Sequence, residues 1–362
     1  MTLFLILFAQ ASFAQANSIT SPNVSANALF LYQHSNLNDK DLSTTRNGVD
    51  LREAEIAFYA DVDPYTQLKM ILALRPQYEV SGGSVEQSFI LEPEELYADT
   101  RQIPGLTLKL GKFLAAFGKH NELHTHAFPF IDAPLANTYL LGDEGLNDVG
   151  FSAAYLIPTN WYNEITLQFL RGEGENTQFN SAKPGDGVGL VHWKNLVDLS
   201  DSLTAELGGS YAEGQNSLKG KTTLTGADLT FKYRPVVGGK YHSAIFAGEY
   251  LHRQLEQPGH EDEIGYGWNV WGQYQFAERW AAKSRYDHFS ASGGHSTNSS
   301  ALTTGKTNKY AASIVFNATE FSSYQVEYSY SHFPKNSFDE SEDKKIYFQA
   351  NFTIGAHPTH RY

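Results

Sequence analysis

Segments of about ten residues in which apolar side chains alternate with polar or small ones recur along almost the whole chain. Lys344 to Ile354 shows the pattern well. Ile346, Phe348, Ala350, Phe352 and Ile354 fall on one side of an extended strand and Tyr347, Gln349, Asn351 and Thr353 on the other, because successive strand side chains point to opposite faces. One face suits lipid and the other suits water. A sheet can hold such a face in hydrocarbon only if it closes on itself, since an open edge would leave amides with neither partner nor water. After the first sixteen residues no stretch reaches the roughly 20 consecutive apolar residues of a membrane helix, and the mean hydropathy is −0.38. The pattern predicts an all-β, transmembrane, antiparallel up-and-down β-barrel.

About sixteen such segments are expected, near residues 26–34, 50–62, 66–75, 88–99, 106–115, 148–156, 162–170, 187–196, 203–212, 222–233, 242–252, 266–276, 280–289, 308–317, 323–332 and 345–355. Lipid-facing rows are expected from Leu68, Met70, Leu72 and Leu74, from Leu203, Ala205, Leu207 and Tyr211, and from Tyr324, Val326, Tyr328 and Tyr330. Short turns with Pro, Gly, Asn or Asp, such as Asp63-Pro64 and Pro158-Thr159-Asn160, alternate with long connections near 35–49, 76–87, 116–147, 171–186, 213–221, 253–265, 290–307 and 333–344. Sixteen antiparallel strands with both termini on one side require this alternation, whereas a soluble sandwich has no reason to sort its loops by length. At 362 residues the chain is too short for a barrel of 22 strands with a plug.

Met1 to Ala16 has an apolar run, Leu3 to Phe8, followed by small residues at Ala9, Ala11, Ser12, Ala14 and Ala16. It reads as a secretory signal peptide, although no Lys or Arg precedes the run, and residues 17–362 then form the barrel. The 21 Tyr, 23 Phe and 5 Trp can populate aromatic girdles at two water interfaces. With no Cys, neither disulfides nor thiolate metal sites are available. A formal charge of −13 gives no basic face for nucleic acid. Part of the acidic surplus lies in long connections, at Glu261, Asp262 and Glu263 and at Asp339, Glu340, Glu342 and Asp343.

Three short stretches carry a family likeness: Leu51 to Ile56 (Leu-Arg-Glu-Ala-Glu-Ile), Glu95 to Asp99, and above all Leu108 to Gly118. The last holds Gly111-Lys112-Phe113 and Phe117-Gly118, similar to a Gly-Lys/Gln-Phe-x-x-x-Phe-Gly segment on the strand entering the third loop of certain barrels. In these residues the chain resembles the Gram-negative porins, in particular the phosphate-selective porin O/P-like group. The resemblance implies a pore in the cell outer membrane whose third loop folds into the lumen and narrows it. It does not define the cargo, because phosphate selectivity does not transfer without basic pore residues. Outer-membrane lipid, lipopolysaccharide and small solutes are the partners expected of such a barrel, and a homotrimer is a further expectation. The residues after the last strand, Ala356 to Tyr362, depart from porins that stop at a closing aromatic residue.

The longest connection, Ala116 to Asn147, stands in third position and holds the densest cluster of chemistry-bearing side chains: His120, Glu122, His124, His126 and Asp132. Imidazole with carboxylate suits Zn²⁺ or another first-row divalent metal, so His120, His124 and His126 are candidate metal ligands. On a strand His124 and His126 share a face; on a helix His120 and His124 do. Two other readings stand beside this one: histidines that hydrogen-bond to the wall and hold the loop, and a transient site for a permeating solute. The Phe and Pro residues of Phe128 to Pro134 predict a packed loop.

The polar side of each alternation supplies the expected pore-lining charges: Glu53, Glu55, Glu206 and Glu327 against Lys69, Arg75, Lys109, Lys232, Arg234, Lys283 and Arg285. The signs are mixed, as in a lumen that keeps a transverse field for general diffusion. The expected function is a water-filled channel for passive diffusion of small hydrophilic solutes or ions, not an enzyme. One alternative is a receptor or scavenger that binds a divalent metal or small solute through the His-rich loop. The other is a barrel-embedded hydrolase, for which Asp287-His288 and Ser331-His332 are isolated pairs without a third partner.

Overall fold

Every strand pairs antiparallel with its sequence neighbours and the first closes on the last, so that sixteen strands form one closed barrel. The computed structural model describes residues 22–37, 47–81, 84–100, 103–173, 178–181, 183, 185–293, 304–335 and 339–355. The expected signal peptide at 1–16 and the segment 356–362 lie outside them. The strands are β1 Asn23–Ser35, β2 Gly48–Asp61, β3 Thr66–Ser81, β4 Ser84–Thr100, β5 Leu106–Leu114, β6 Asn147–Leu156, β7 Tyr162–Leu170 and β8 Val188–Ser200, followed by β9 Leu203–Gln215, β10 Lys221–Tyr233, β11 Ser243–Leu255, β12 Glu263–Ala277, β13 Trp280–Ser292, β14 Gly305–Thr319, β15 Ser322–His332 and β16 Glu342–Gly355.

The alternation places the expected apolar rows outside. Leu68, Met70, Leu72 and Leu74 pair with Ala60, Phe58, Ile56 and Ala54 of β2 on the outer face, while Lys69, Ile71, Ala73 and Arg75 turn inward. Two chains of aromatic contacts mark the upper and lower limits of the apolar belt. Trp268, Tyr286, Tyr310 and Tyr330 run along the long-loop side, with ring centroids 5.2, 4.8 and 6.4 Å apart. Trp280, Phe316, Tyr324 and Phe352 do the same on the short-turn side, at 4.6, 6.4 and 6.0 Å. On β13 the two rows are separated by the step from Trp280 to Tyr286, roughly 20 Å along the strand. Amphipathic aromatic rings settle at such interfaces with apolar side chains between them.

One expected long connection is not a loop. β3 and β4 continue pairing from Arg75↔Ile90 to Ser81↔Ser84, as a two-stranded ribbon through most of 76–87. β-branched and aromatic residues such as Tyr78, Val85 and Phe89 favour extension. Pro76 is tolerated because the β2–β3 ladder has already stopped at Leu74, so no N–H is required there. On the other side β4 loses its partner beyond Leu96↔Lys112, since β5 ends at Leu114. This low stretch of wall is where the third loop, L3, leaves the sheet and turns into the lumen.

Candidate functional site: the third loop and the wall it crosses

L3 comprises residues 115–146 and begins with two tight constraints. Gly118 has φ +65°, a left-handed conformation that suits glycine, and a Cβ on it would collide with Glu249 on β11. Asn121 closes the base of the loop: its Nδ2 donates to the carbonyls of Ala115 (2.8 Å) and Leu146 (3.0 Å), and its Oδ1 accepts from Leu146 N–H (2.7 Å). Two short 3₁₀ turns, His120–Glu122 and Thr125–Ala127, precede a single helix, α1, Leu135–Leu141, which starts after Pro134 and stops at Gly142 with φ +89°. The loop then packs as the sequence predicts. Ala136, Leu140 and Leu141 of α1 join Phe113, Phe117, Leu146 and Phe289 in an apolar cluster inside the barrel, and Phe130 packs edge-on to Trp271.

Polar anchors tie L3 to walls all around the lumen. The N–H of Ala116 donates to Gln168 on β7 (3.0 Å), that of Gly118 to Ser210 on β9 (2.8 Å), and that of Lys119 to Glu249 (2.8 Å). Lys119 Nζ reaches Glu206 at 2.9 Å, and Lys194 lies 3.3 Å from the same oxygen. On the opposite wall Lys283 Nζ donates to the Pro129 carbonyl (2.7 Å), Ile131 N–H donates to Glu327 (3.1 Å), and Asp132 pairs with Arg285 (2.6 Å) and Lys309.

The histidines divide between two places. His124 Nδ1 donates to Glu94 (2.9 Å), and its Nε2 lies 3.2 Å from Glu95; His126 Nδ1 donates to Glu55 (2.8 Å) and Thr125 Oγ1 to Glu53 (3.2 Å). Burial opposes a charged ring at His124, but the two carboxylates outweigh it and raise its pKa well above the ordinary value. His126 is pushed down to about 4, first by burial and then by its charged neighbour His124. His120 stands apart, its ring 4.4 Å from that of Phe128, and burial with Arg285 nearby pushes its pKa down to about 3. The expected trio of histidine ligands therefore does not converge: the convergent groups are Glu53/Glu55/His126 and Glu55/Glu94/His124, without His120. L3 is neither strand nor continuous helix, so neither spacing rule for its histidines applied.

Of the expected pore-lining charges, Glu53, Glu55, Lys69, Arg75, Lys109, Glu206, Lys232, Lys283, Arg285 and Glu327 lie on the inner face. Arg234 lies one residue past β10, exposed in the short turn, because Pro235 cannot continue the ladder. Glu122 is exposed to the lumen and Asp132 half-buried. Glu94 and Glu95 were not among the expected lumen charges although both are central. Alternation allows one of two consecutive residues to face inward, but the register shifts between Ile71 and Leu72, opposite Pro93 to Glu95. The bulge turns both carboxylates into the lumen, at 7% and 4% exposure. Two adjacent glutamates after a proline in an otherwise alternating strand were the available signal. Asp287 and His288 point to opposite faces of β13, as do Ser331 and His332 on β15. Neither pair forms a dyad.

No family model matches the chain. A protein of Aquifex aeolicus (strain VF5), described as uncharacterized, is 29% identical over 371 residues, which covers 91% of this chain and 72% of its own length. The structure of an anion-selective porin from Comamonas acidovorans aligns with a TM-score of 0.62 at 11% identity, over 92% of this chain and 99% of that one. The trimer form of OmpT, an outer membrane protein of Vibrio cholerae, gives 0.56 at 11% identity over 92% and 99%. The chain has the fold of an outer-membrane porin.

Within this porin fold L3 separates two spaces. Toward the long-loop side a small cavity of about 80 Å³ lies against Arg75, Glu94, His120 and Glu144. Toward the short-turn side a larger one of about 360 Å³ is lined by Lys69, Lys109, Lys119 and Lys194 and by Glu95, Asp99, Glu122 and Glu164. Lys109 rests over the ring of Tyr97, 4.3 Å from its centroid, which holds the ammonium toward this cavity. Charges of both signs line this space, with Lys69 paired to Glu95 at 2.8 Å, and its volume suits a small hydrated solute.

Proposed function

We propose that the protein is an outer-membrane porin through which small hydrophilic solutes or ions diffuse passively, with L3 as the constriction. The course of L3 carries this reading. A surface loop has no need for anchors on β2, β4, β7, β9, β11, β13, β14 and β15, whereas a loop that limits passage must be held against several walls. The mixed lysines and carboxylates that line the larger cavity fit the transverse field of a diffusion pore. The segment Gly111 to Gly118 favours kinship with the phosphate-selective porin O/P-like group, while the balanced signs assign no preferred anion. Removal of residues 1–16 as a signal and assembly as a homotrimer complete the proposal, the latter supported by the trimer form of the similar Vibrio cholerae barrel.

The test is single-channel recording in planar bilayers, with reversal potentials under a salt gradient. Discrete steps of conductance are expected, and deletion of residues 121–134 should enlarge them and raise the solute size limit while the barrel stays folded. A folded barrel that passes no current, with or without the deletion, overturns the reading.

A further inference from the structure

Where L3 meets β2 and β4, five side chains from three parts of the chain converge. His124 and His126 come from the loop, Glu53 and Glu55 from β2, and Glu94 from the β4 bulge. Their donor atoms form two overlapping groups, Glu53/Glu55/His126 and Glu55/Glu94/His124, within each of which the atoms lie within 4.8 Å of one another. Glu55 belongs to both. We propose that this cluster binds a divalent first-row metal ion of the Zn²⁺ type, and that the ion fastens L3 to the wall and so sets the width of the pore; the second half rests on the porin reading above.

The donor set is the first argument. Imidazole nitrogen with carboxylate oxygen suits Zn²⁺, Co²⁺ or Ni²⁺ better than the all-oxygen shells that Ca²⁺ and Mg²⁺ prefer. Unmet demand for a cation is the second. Glu53 and Glu55 lie against each other and are each 2% exposed, yet among the described residues no N–H or O–H donates to Oε1 of Glu53 or Oε2 of Glu55. A buried carboxylate oxygen without a partner is costly, and a coordinated cation relieves that cost at both residues together.

The third argument is how the ligands are held. Arg75 takes Oε2 of Glu53 (2.5 Å) and Oε1 of Glu94 (2.9 Å), which leaves Glu94 Oε2 to meet Nδ1 of His124 at 2.9 Å. Glu95, itself paired with Lys69 at 2.8 Å, engages Nε2 of His124 and so leaves Nδ1 for the cluster. Carboxylates and cations placed behind the ligands in this way fix tautomer and orientation in metal sites. Nδ1 of His124 and Nδ1 of His126 now reach Glu94 Oε2 (2.9 Å) and Glu55 Oε1 (2.8 Å); a metal ion would replace these protons. The two rings lie nearly parallel, 5.9 Å apart.

The test uses the full-length barrel stripped with EDTA, titrated with ZnCl₂ by isothermal calorimetry and recorded in bilayers with Zn²⁺ present and then chelated. Saturable binding of about one ion per chain is expected, with an EDTA-reversible drop in conductance and current noise. Glu55→Gln and His126→Gln should each weaken binding at least about tenfold, whereas His252→Gln on the outer face leaves it unchanged. Folding of each variant is checked by heat-modifiable mobility, and either ligand variant alone suffices if the other fails to fold. A conducting barrel that shows no saturable Zn²⁺ binding, or whose affinity survives the ligand substitutions, overturns the metal site and leaves the porin reading intact. A barrel that binds Zn²⁺ but passes no current does the reverse.

Discussion

Asp132 of L3 and Arg285 of β13 meet through two contacts: Nη2 donates to the carboxylate at 2.6 Å and Nη1 to the Asp132 backbone carbonyl at 2.8 Å. Lys309 engages the second carboxylate oxygen, and Arg285 is steadied by Asp287 at 2.8 Å and by the ring of Phe130 beneath it. The tip of the loop is therefore held to the wall by charge-assisted bonds. Burial alone would raise the Asp132 pKa, but Lys309 and Arg285 outweigh it and hold it below the usual carboxylate range. A carboxylate with a depressed folded pKa stabilises the fold above its unfolded value, near ~4, and loses that contribution only as the pH falls toward the folded value. The closed loop should persist from neutral pH down to about 4 and loosen in stronger acid. Asp132→Asn should show the noisier, larger current at neutral pH already, with a smaller further response to acid; equal noise in variant and wild type at pH 7 would contradict this anchor.

Gly118→Ala should destabilise the barrel by more than about 1 kcal/mol, because the left-handed backbone alone costs a non-glycine residue about 1–2 kcal/mol and the new methyl meets Glu249. Adding Glu249→Ala removes the collision but not the strain, and also the acceptor of the Lys119 N–H, so the double variant should lose less relative to Glu249→Ala than Gly118→Ala loses relative to the wild type. Urea unfolding midpoints of the two single variants and the double variant separate the collision from the strain.

Asn121→Ala removes three hydrogen bonds at the base of L3 and leaves the buried Leu146 N–H without an acceptor, while the Ala115 and Leu146 carbonyls keep the N–H groups of Phe117 and Ala115. A loss of roughly 1–3 kcal/mol is expected. Since those bonds join the two ends of the loop, limited proteolysis should cut within 115–146 in the variant much faster than in the wild type, at unchanged strand content by circular dichroism.

Leu72 lies in the middle of an outward apolar row. Leu72→Arg should cost roughly 2–4 kcal/mol when the barrel folds into lipid, as expected for a charge near the bilayer midplane. A loss below about 0.5 kcal/mol in a reversible folding assay would mean that the row does not face hydrocarbon.

The strands were legible because a repeat of two is written directly into the order of side chains, and both the lipid-facing rows and most lumen charges follow from it. It failed where the repeat is broken. Glu94 and Glu95 both face inward only because β4 bulges opposite Ile71 and Leu72, and the ribbon at Arg75 to Ser81 persists because its Pro76 has no ladder to serve on one side. Arg234 falls one residue outside its expected strand position for the converse reason, since alternation says nothing about where a strand stops.

By itself the sequence determined a closed sixteen-stranded barrel, the faces of its strands and the presence of a long packed third loop, because each of these depends on local order and loop length. Which histidine meets which carboxylate was decided by tertiary structure. His124 and Glu55 are far apart in the chain, and only closure of the barrel and the inward fold of L3 bring them to 3.9 Å. The partners of an irregular loop are set by the walls it crosses, and no periodicity in the loop records those walls.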